Sequence, residues 1–338
     1  MSFKGQIISP SRIRKLCLLL ILLLFLANTG FGQKDTVGFW DVPTSFHPKR
    51  YYTVAITGVT AYTIAFISLN ELWYEDYPRT SFHFFNDAAE WQQMDKAGHM
   101  FAGYFQTDWI HGVLRWTGVK RNSAIWASAL ASIGLQTSVE VLDGFSSKWG
   151  FSVSDFAFNV FGASAWAGQQ FAWDEQRIRL KVSTTYRIYP EDVVYGVPGG
   201  MTTIRERTND LYGENILETF LKDYNAQTIW ASANIHSFLP EESKFPKWLN
   251  IAVGYGAENM YGGFENEWMI DENTFTLSDA EYPRYRQILI SPDIDLSKIP
   301  IKSKPLKTLV SMINIFKIPA PAVIFNGKGP VQWKWIYY

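Results

Sequence analysis

Nine polar residues set into apolar stretches carry most of the chemistry this sequence offers. Asp95, Lys96 and His99 form one group, Gln136, Glu140 and Asp143 a second, and Ser152, Asp155 and Asn159 a third. Within each group the spacings are one, three or four residues. Residues three or four apart share a helix face, so each group reads as one polar stripe. A histidine among carboxylates can serve as a general acid or base, hold a cation, or share protons inside a buried lock. As catalytic candidates the sequence offers His99, Glu140 and Asp155. As metal ligands it offers His99, Glu140, Asp143 and Asp155. One imidazole with several carboxylates suits a hard divalent cation better than a closed structural zinc site. No other cofactor is expected.

Hairpin arithmetic brings the stripes together. Short connections make successive helices antiparallel neighbours. A fold about residue 119 sets His99 level with position 139, beside Glu140, and Asp95 level with Asp143. A fold about residue 147 sets Glu140 beside Asp155, Gln136 beside Asn159, and Asp143 beside Ser152. The sequence therefore predicts His99, Glu140 and Asp155 within direct or one-water reach, with Asp95 and Asp143 in a layer beside them. Counting Asp95, Glu140, Asp143 and Asp155 against Lys96 gives -3 with His99 neutral and -2 with it charged. Glu140 and Asp143 also fall in the last turn of their helix, where the macrodipole disfavours negative charge. Simpler roles compete at each place: a capping box for Ser152 and Asp155, an exposed helix pair for Asp95 and His99, and a satisfied amide for Asn159.

The elements that must carry these residues are legible in outline. Residues 1–32 hold four basic residues, no acid and an apolar run from Leu16 to Ala27, the pattern of a secretory signal cleaved before Gln33. Such a run is short for a membrane span, and the rival reading is an uncleaved anchor. Residues 33–50, with Pro43 and Pro48, read as a linker or arm. Tyr51 to Leu69 gives 19 residues without a charge, with Thr53, Thr57, Gly58, Thr60 and Thr63 near one face, as in closely packed membrane helices. A buried strand pair is the alternative there. Further helices are expected over 87–116, opened by Asp87 and Glu90, over 122–143, and over 152–173. From residue 174 the segments 178–189, 228–238, 247–257, 284–294 and 333–338 are β-branched and aromatic, with short helices over 211–224 and 304–316. The fold class is α+β: a membrane-associated antiparallel bundle of about four helices over 51–173, then a mixed, mostly antiparallel β region over 174–338. Four to six strands are too few for a closed membrane barrel.

Composition excludes several classes. Of 338 residues, 31 are Lys or Arg and 32 Asp or Glu, which argues against a nucleic-acid binder. Removal of the signal leaves 27 basic against 32 acidic residues and takes away Cys17, the only cysteine. No phosphate loop, dinucleotide glycine pattern or nucleophile elbow occurs. His47, His83, His111 and His236 are scattered without ligand spacing and are expected at the surface.

The run Asp95-Lys96-Ala97-Gly98-His99, followed by Glu140-Val141-Leu142-Asp143-Gly144 and by Ser152 with Asp155, Asn159 and Gly162, resembles the YfiM-like family of predicted periplasmic lipoproteins of unknown function. The same order is similar to VanZ-like membrane proteins over residues 86–173. The C-terminal half, with Lys222-Asp223-Tyr224-Asn225 and Lys317-Ile318-Pro319-Ala320-Pro321, resembles longer Bacteroidota-type members. This chain lacks the lipid-bearing cysteine after its signal. The resemblance implies an envelope location and a helical core, and no reaction.

The expectation that follows is a cell-envelope membrane protein of unknown activity. It would be a non-enzymatic structural or interaction subunit, placed in the outer membrane or on the periplasmic face of a membrane, or in the inner membrane if the N-terminal helix stays uncleaved. Its partners would be membrane lipids and other envelope proteins, with Trp230, Trp248 and the Trp333–Tyr338 tail either forming a docking surface or filling the sheet core. The alternatives are an enzyme on lipid or polyprenyl head groups and a structural metal-binding protein.

Overall fold

The computed structural model describes residues 37–70, Tyr74 and 77–338. The expected signal and Cys17 lie outside the described residues. The chain divides into two compact units, one comprising the residues up to Pro78 with Gly112–Ala124, the other Arg79–His111 with Ile125–Tyr338.

In the first unit, α1 (Pro48–Leu69) starts three residues earlier than expected. Proline at its first turn needs no donor, and the His47 ring accepts from the Arg50 amide at 3.3 Å. The threonines bond back into their own helix: Thr53, Thr57 and Thr63 donate to the carbonyls of Lys49, Thr53 and Val59 at 2.8–2.9 Å. These hydroxyls thus need no outside partner. Tyr52, Ile56 and Val59 point outward, exposed. Residues 37–47 are not a free linker. Arg50 is buried and donates to the carbonyls of Val37, Gly38, Asp41 and Trp116, with its guanidinium 4.6 Å from the Trp116 ring.

The second unit holds most of α2 (Met94–Trp116) and α3 (Arg121–Gly144), and all of α4 (Val153–Trp173). The second helix starts at Met94 and not at Asp87, because Trp91, Gln92 and Gln93 take positive φ and break the turn before it. Contacts between α2 and α4 run in step, His99 with Asn159 and Asp108 with Trp166, so these two helices are parallel. Two glycines set their spacing. A Cβ on Gly103 would lie 2.4 Å from the Asn159 carbonyl oxygen, and one on Gly162 would lie 2.0 Å from that of Met100. Tyr104, Ile125, Ala129, Ala163, Trp166 and Ala167 form the helical core. His111, expected at the surface, packs on Trp166 with ring centroids 4.7 Å apart.

The remaining strands are β1 (Ile178–Thr184), β2 (Val193–Val197), β3 (Met201–Thr203), β4 (Gln227–Asn234), β5 (Leu249–Glu258), β6 (Glu267–Ile270), β7 (Asn273–Thr276), β8 (Tyr285–Ile294), β9 (Ala320–Asn326) and β10 (Gln332–Tyr337). The small helices are α5 (Ile204–Tyr212), α6 (Ile216–Lys222) and α7 (Lys304–Met312). One antiparallel sheet runs β1-β4-β5-β8-β9-β10 and a second runs β3-β2-β7-β6. Among the described residues ten strands replace the four to six expected; β2, β3, β6 and β7 are three to five residues long, too short for periodicity to register.

The large sheet is inverted. Its buried face carries Asn250, Ala252 and Gly254 on β5 with Gln287, Leu289, Ser291 and Asp293 on β8, while Ile251, Val253, Ile288 and Ile290 face out. Lys181 and Asp293 pair inside at 2.8 Å, both side chains fully buried. The sheet coils over this interior. Tyr337 of β10 bonds Thr228 of β4 at 2.9 Å, and the Lys317 amide donates to the Val182 carbonyl at the β1 edge. Of the two roles open to these aromatics Trp230 takes the sheet core, fully buried with Tyr337, whereas Trp333 and Trp335 are exposed.

The arm around Arg50 yields a prediction. Arg50→Ala removes four charge-assisted bonds and should cost on the order of 2–3 kcal/mol. Hydrogen exchange should show lost protection at the Asp41 and His47 amides and none at the Asp155 amide. Unchanged exchange at 37–47 would contradict the pinning.

Candidate functional site

Lys96 is the centre of the polar cluster. It is 1% exposed, and its ammonium lies 2.8 Å from Asp87, 2.9 Å from Asp95 and 2.7 Å from Asp155. Asp95 and Lys96 come from the first turn of α2, Asp155 from the first turn of α4, and Asp87 from the irregular turn before α2. Both helix N-termini therefore present the positive ends of their dipoles to the carboxylates.

Hydrogen bonds complete the ring. Ser152 caps α4, accepting from the Asp155 amide at 3.0 Å, and its hydroxyl donates to Asp87 at 2.6 Å. Ser154 donates to the same oxygen at 2.7 Å. The Tyr224 hydroxyl, from the loop after α6, donates to Asp95 at 2.7 Å. The Ser152 amide approaches Glu140 Oε2 at 3.4 Å.

His99 stands beside this ring, its side chain 21% exposed. Its Nδ1 lies 3.2 Å from Asn159 Oδ1 and 3.7 Å from Glu140 Oε1. Its Nε2 lies 3.7 Å from Asp95 Oδ1 and 3.6 Å from Asp155 Oδ2. Glu140 and Asn159 are buried, and Glu140 Oε1 and Asn159 Nδ2 have no hydrogen-bond partner among the described residues.

Of the nine residues singled out by spacing, seven meet directly: Asp95, Lys96, His99, Glu140, Ser152, Asp155 and Asn159. Asp143 is half-buried in the last turn of α3 and acts on Glu140 through its charge. Gln136, half-buried a turn earlier, makes none of these bonds. The sequence reading missed Asp87, Ser154 and Tyr224. Asp87 carried a signal of a different kind, a capping-box spacing with Glu90 that assigned it to a helix start. Tyr224 carried no local signal; the topology brings it across 129 residues.

The charges settle into two classes. Asp87 is pulled down to about 2: burial opposes ionisation, but the hydrogen bonds from Asp155, Lys96, Ser152 and Ser154 outweigh it. Asp95 is also held below the usual carboxylate range, with burial overcome by His99, Lys96 and Tyr224. Asp155 is pushed up, by burial first, then by Asp95 and by its hydrogen bond to Asp87. Glu140 is pushed up to about 8, by burial first and by Asp155 and Asp143, with His99 opposing. Glu90, on the turn before α2, is pushed up to about 7 by burial and by Asp95 and Asp87. At neutral pH Asp155 and Glu140 thus carry protons, and Lys96 faces two ionised carboxylates.

This site falls within a recognised stretch of sequence. Residues 83–168 match the model of a family described as Predicted periplasmic lipoprotein (DUF2279). The match holds every cluster residue except Tyr224, and its description fits an envelope protein of unknown activity. No curated protein and no solved structure matches the chain.

The proton on Glu140 gives a signed prediction. The folded chain keeps a proton that the unfolded chain releases between about 4.5 and 8, so this group's contribution to stability falls as pH rises through that window. Glu140→Gln removes the slope. The variant should match the wild type near pH 4.5 and exceed it by roughly 3–5 kcal/mol at pH 9. Denaturation curves that stay parallel from pH 4.5 to 9 would contradict the assignment.

Proposed function

We propose that this chain is a membrane-anchored protein of the cell envelope that works without catalysis, as a structural or interaction subunit. The observation that carries the reading is the clamp on Lys96: three carboxylates and a tyrosine spend their hydrogen bonds on one another and join the helices to the strand region through Tyr224. Among the described residues two helices have the length and apolarity of a membrane span, Pro48–Leu69 and Arg121–Asp143. The first supports anchoring because none of its apolar window is buried. The second carries a buried stripe of Ile125, Ser128, Ala129, Ser132 and Glu140 and reads as a core helix. An outer-membrane assembly is the setting this reading favours. His99→Gln and Glu140→Gln, with the fold intact, should then restore the envelope permeability of a deletion strain. Failure of both variants to restore it would favour the enzyme on lipid head groups.

A second reading has its own observation. Asp95, His99 and Asp155 each offer a ligand atom, all within 4.8 Å of one another. If Nδ1 donates to Asn159, the Nε2 lone pair faces two carboxylate oxygens at 3.6–3.7 Å. That separation is too long for a hydrogen bond and suits ligands about 2.1 Å from a shared divalent cation. Elemental analysis of protein purified without chelator should then find one ion per chain, and Asp155→Asn should lose it. A metal-free chain whose melting is unmoved by millimolar calcium, magnesium or manganese would exclude this reading.

The anchor is tested separately. The full chain should stay in the membrane fraction after carbonate washing. Val59→Asp, at an exposed position in α1, should release much of it, since a central charge costs about 2.5–3.5 kcal/mol of insertion. Extraction of the wild type by carbonate would overturn the anchor.

A further inference from the structure

Where α2 and α4 lie over the outer face of the large sheet, an apolar groove of about 290 Å³ remains between them. Ala97 and Met100 of α2, Phe158 of α4 and Ile229, Val253 and Ile288 of the sheet wall it. The apolar surface does not end there. It continues along the sheet over Ile251 and Ile290, both exposed. Protein surfaces seldom leave such a patch open to water without an apolar partner. The volume sits at the lower end of small-ligand pockets, which suits a slender chain.

One end of the groove is charged. Gln93 and Tyr255 line it, and both hold Arg286: the guanidinium Nε donates to Gln93 Oε1 and to the Tyr255 hydroxyl at 3.1 Å each, and Nη2 donates to Gln93 as well. Both acceptors are neutral. Arg286 is exposed, and among the described residues no carboxylate lies within ion-pair distance of it. An unneutralised cation therefore stands at the mouth of an apolar groove. That pairing matches an amphiphile with an apolar tail and an anionic head.

The geometry points to a lipid site, in which one acyl chain of an anionic phospholipid lies in the groove and its phosphate rests on Arg286. The inference rests on the envelope-membrane reading above for the source of the lipid. A lipid without a phosphate would leave Arg286 unused.

The test uses the full chain in neutral detergent with two photoreactive lipids, a phosphatidylglycerol and a phosphate-free diacylglycerol, each with a diazirine on its acyl chain. Labelling by the phosphatidylglycerol should map to peptides carrying Met100, Phe158 and Val253 and exceed labelling by the diacylglycerol about tenfold, the worth of a charge-assisted bond. Arg286→Gln should bring the two lipids level. Val253→Trp, which adds bulk at a half-exposed position, should cut groove labelling several-fold with an unchanged melting temperature. Arg286→Gln keeps the test readable if Val253→Trp misfolds. Equal labelling by both lipids in the wild type, or labelling confined to α1, would overturn the proposal. The anchor is read independently by carbonate extraction, so groove labelling of a carbonate-soluble chain would overturn the anchor and leave the lipid site standing.

Discussion

A lysine ammonium taken out of water must be paired with negative charge or give up its proton. Lys96 meets that requirement with carboxylates from three places in the chain, and the positions of α2, α4 and the turn before α2 follow from it. Two ionised carboxylates and one protonated acid are enough to hold one ammonium, which is why Asp87 and Asp155 are driven in opposite directions although both are buried. The glycines at 103 and 162 serve the same end. They let α2 and α4 approach until His99 and Asn159 touch, one turn from the lysine.

The strand region solves the same problem a second time. Lys181 and Asp293 pair inside the coiled sheet, with Ser232 donating to the same aspartate at 2.6 Å. Inside the sheet these polar groups sit beside an apolar cluster of Trp230, Leu289 and Ile324, while Ile251, Val253, Ile288 and Ile290 face out. Val59, Leu130, Phe161 and Trp335 are exposed as well.

The helical half was legible because helix periodicity and short connections are local. Residue spacing placed His99, Glu140 and Asp155 on facing stripes, and the observed contacts of His99 lie at 3.6–3.7 Å. Asp87 was read as a helix start because Asp87 and Glu90 have capping spacing; positive φ at three residues, which sequence does not announce, turns it inward. Gln136 shares a stripe with Glu140 but falls beyond the reach of the ring. The sheet was less legible. On β5 the alternation of Asn250, Ala252 and Gly254 with Ile251 and Val253 marks two faces without saying which is inside, and the usual rule chooses the wrong one. Trp230 shows the consequence, since an aromatic suited to an interface is fully buried beside Tyr337.

The most direct measurement is equilibrium denaturation of Lys96→Met alone and together with Asp87→Asn and Asp95→Asn. The single change strands two ionised carboxylates and should cost about 3–5 kcal/mol. The triple variant removes those charges and should recover most of the loss. A single variant that loses less than about 1 kcal/mol, or a triple variant no more stable than the single, would contradict the claim that this buried charge organises the fold.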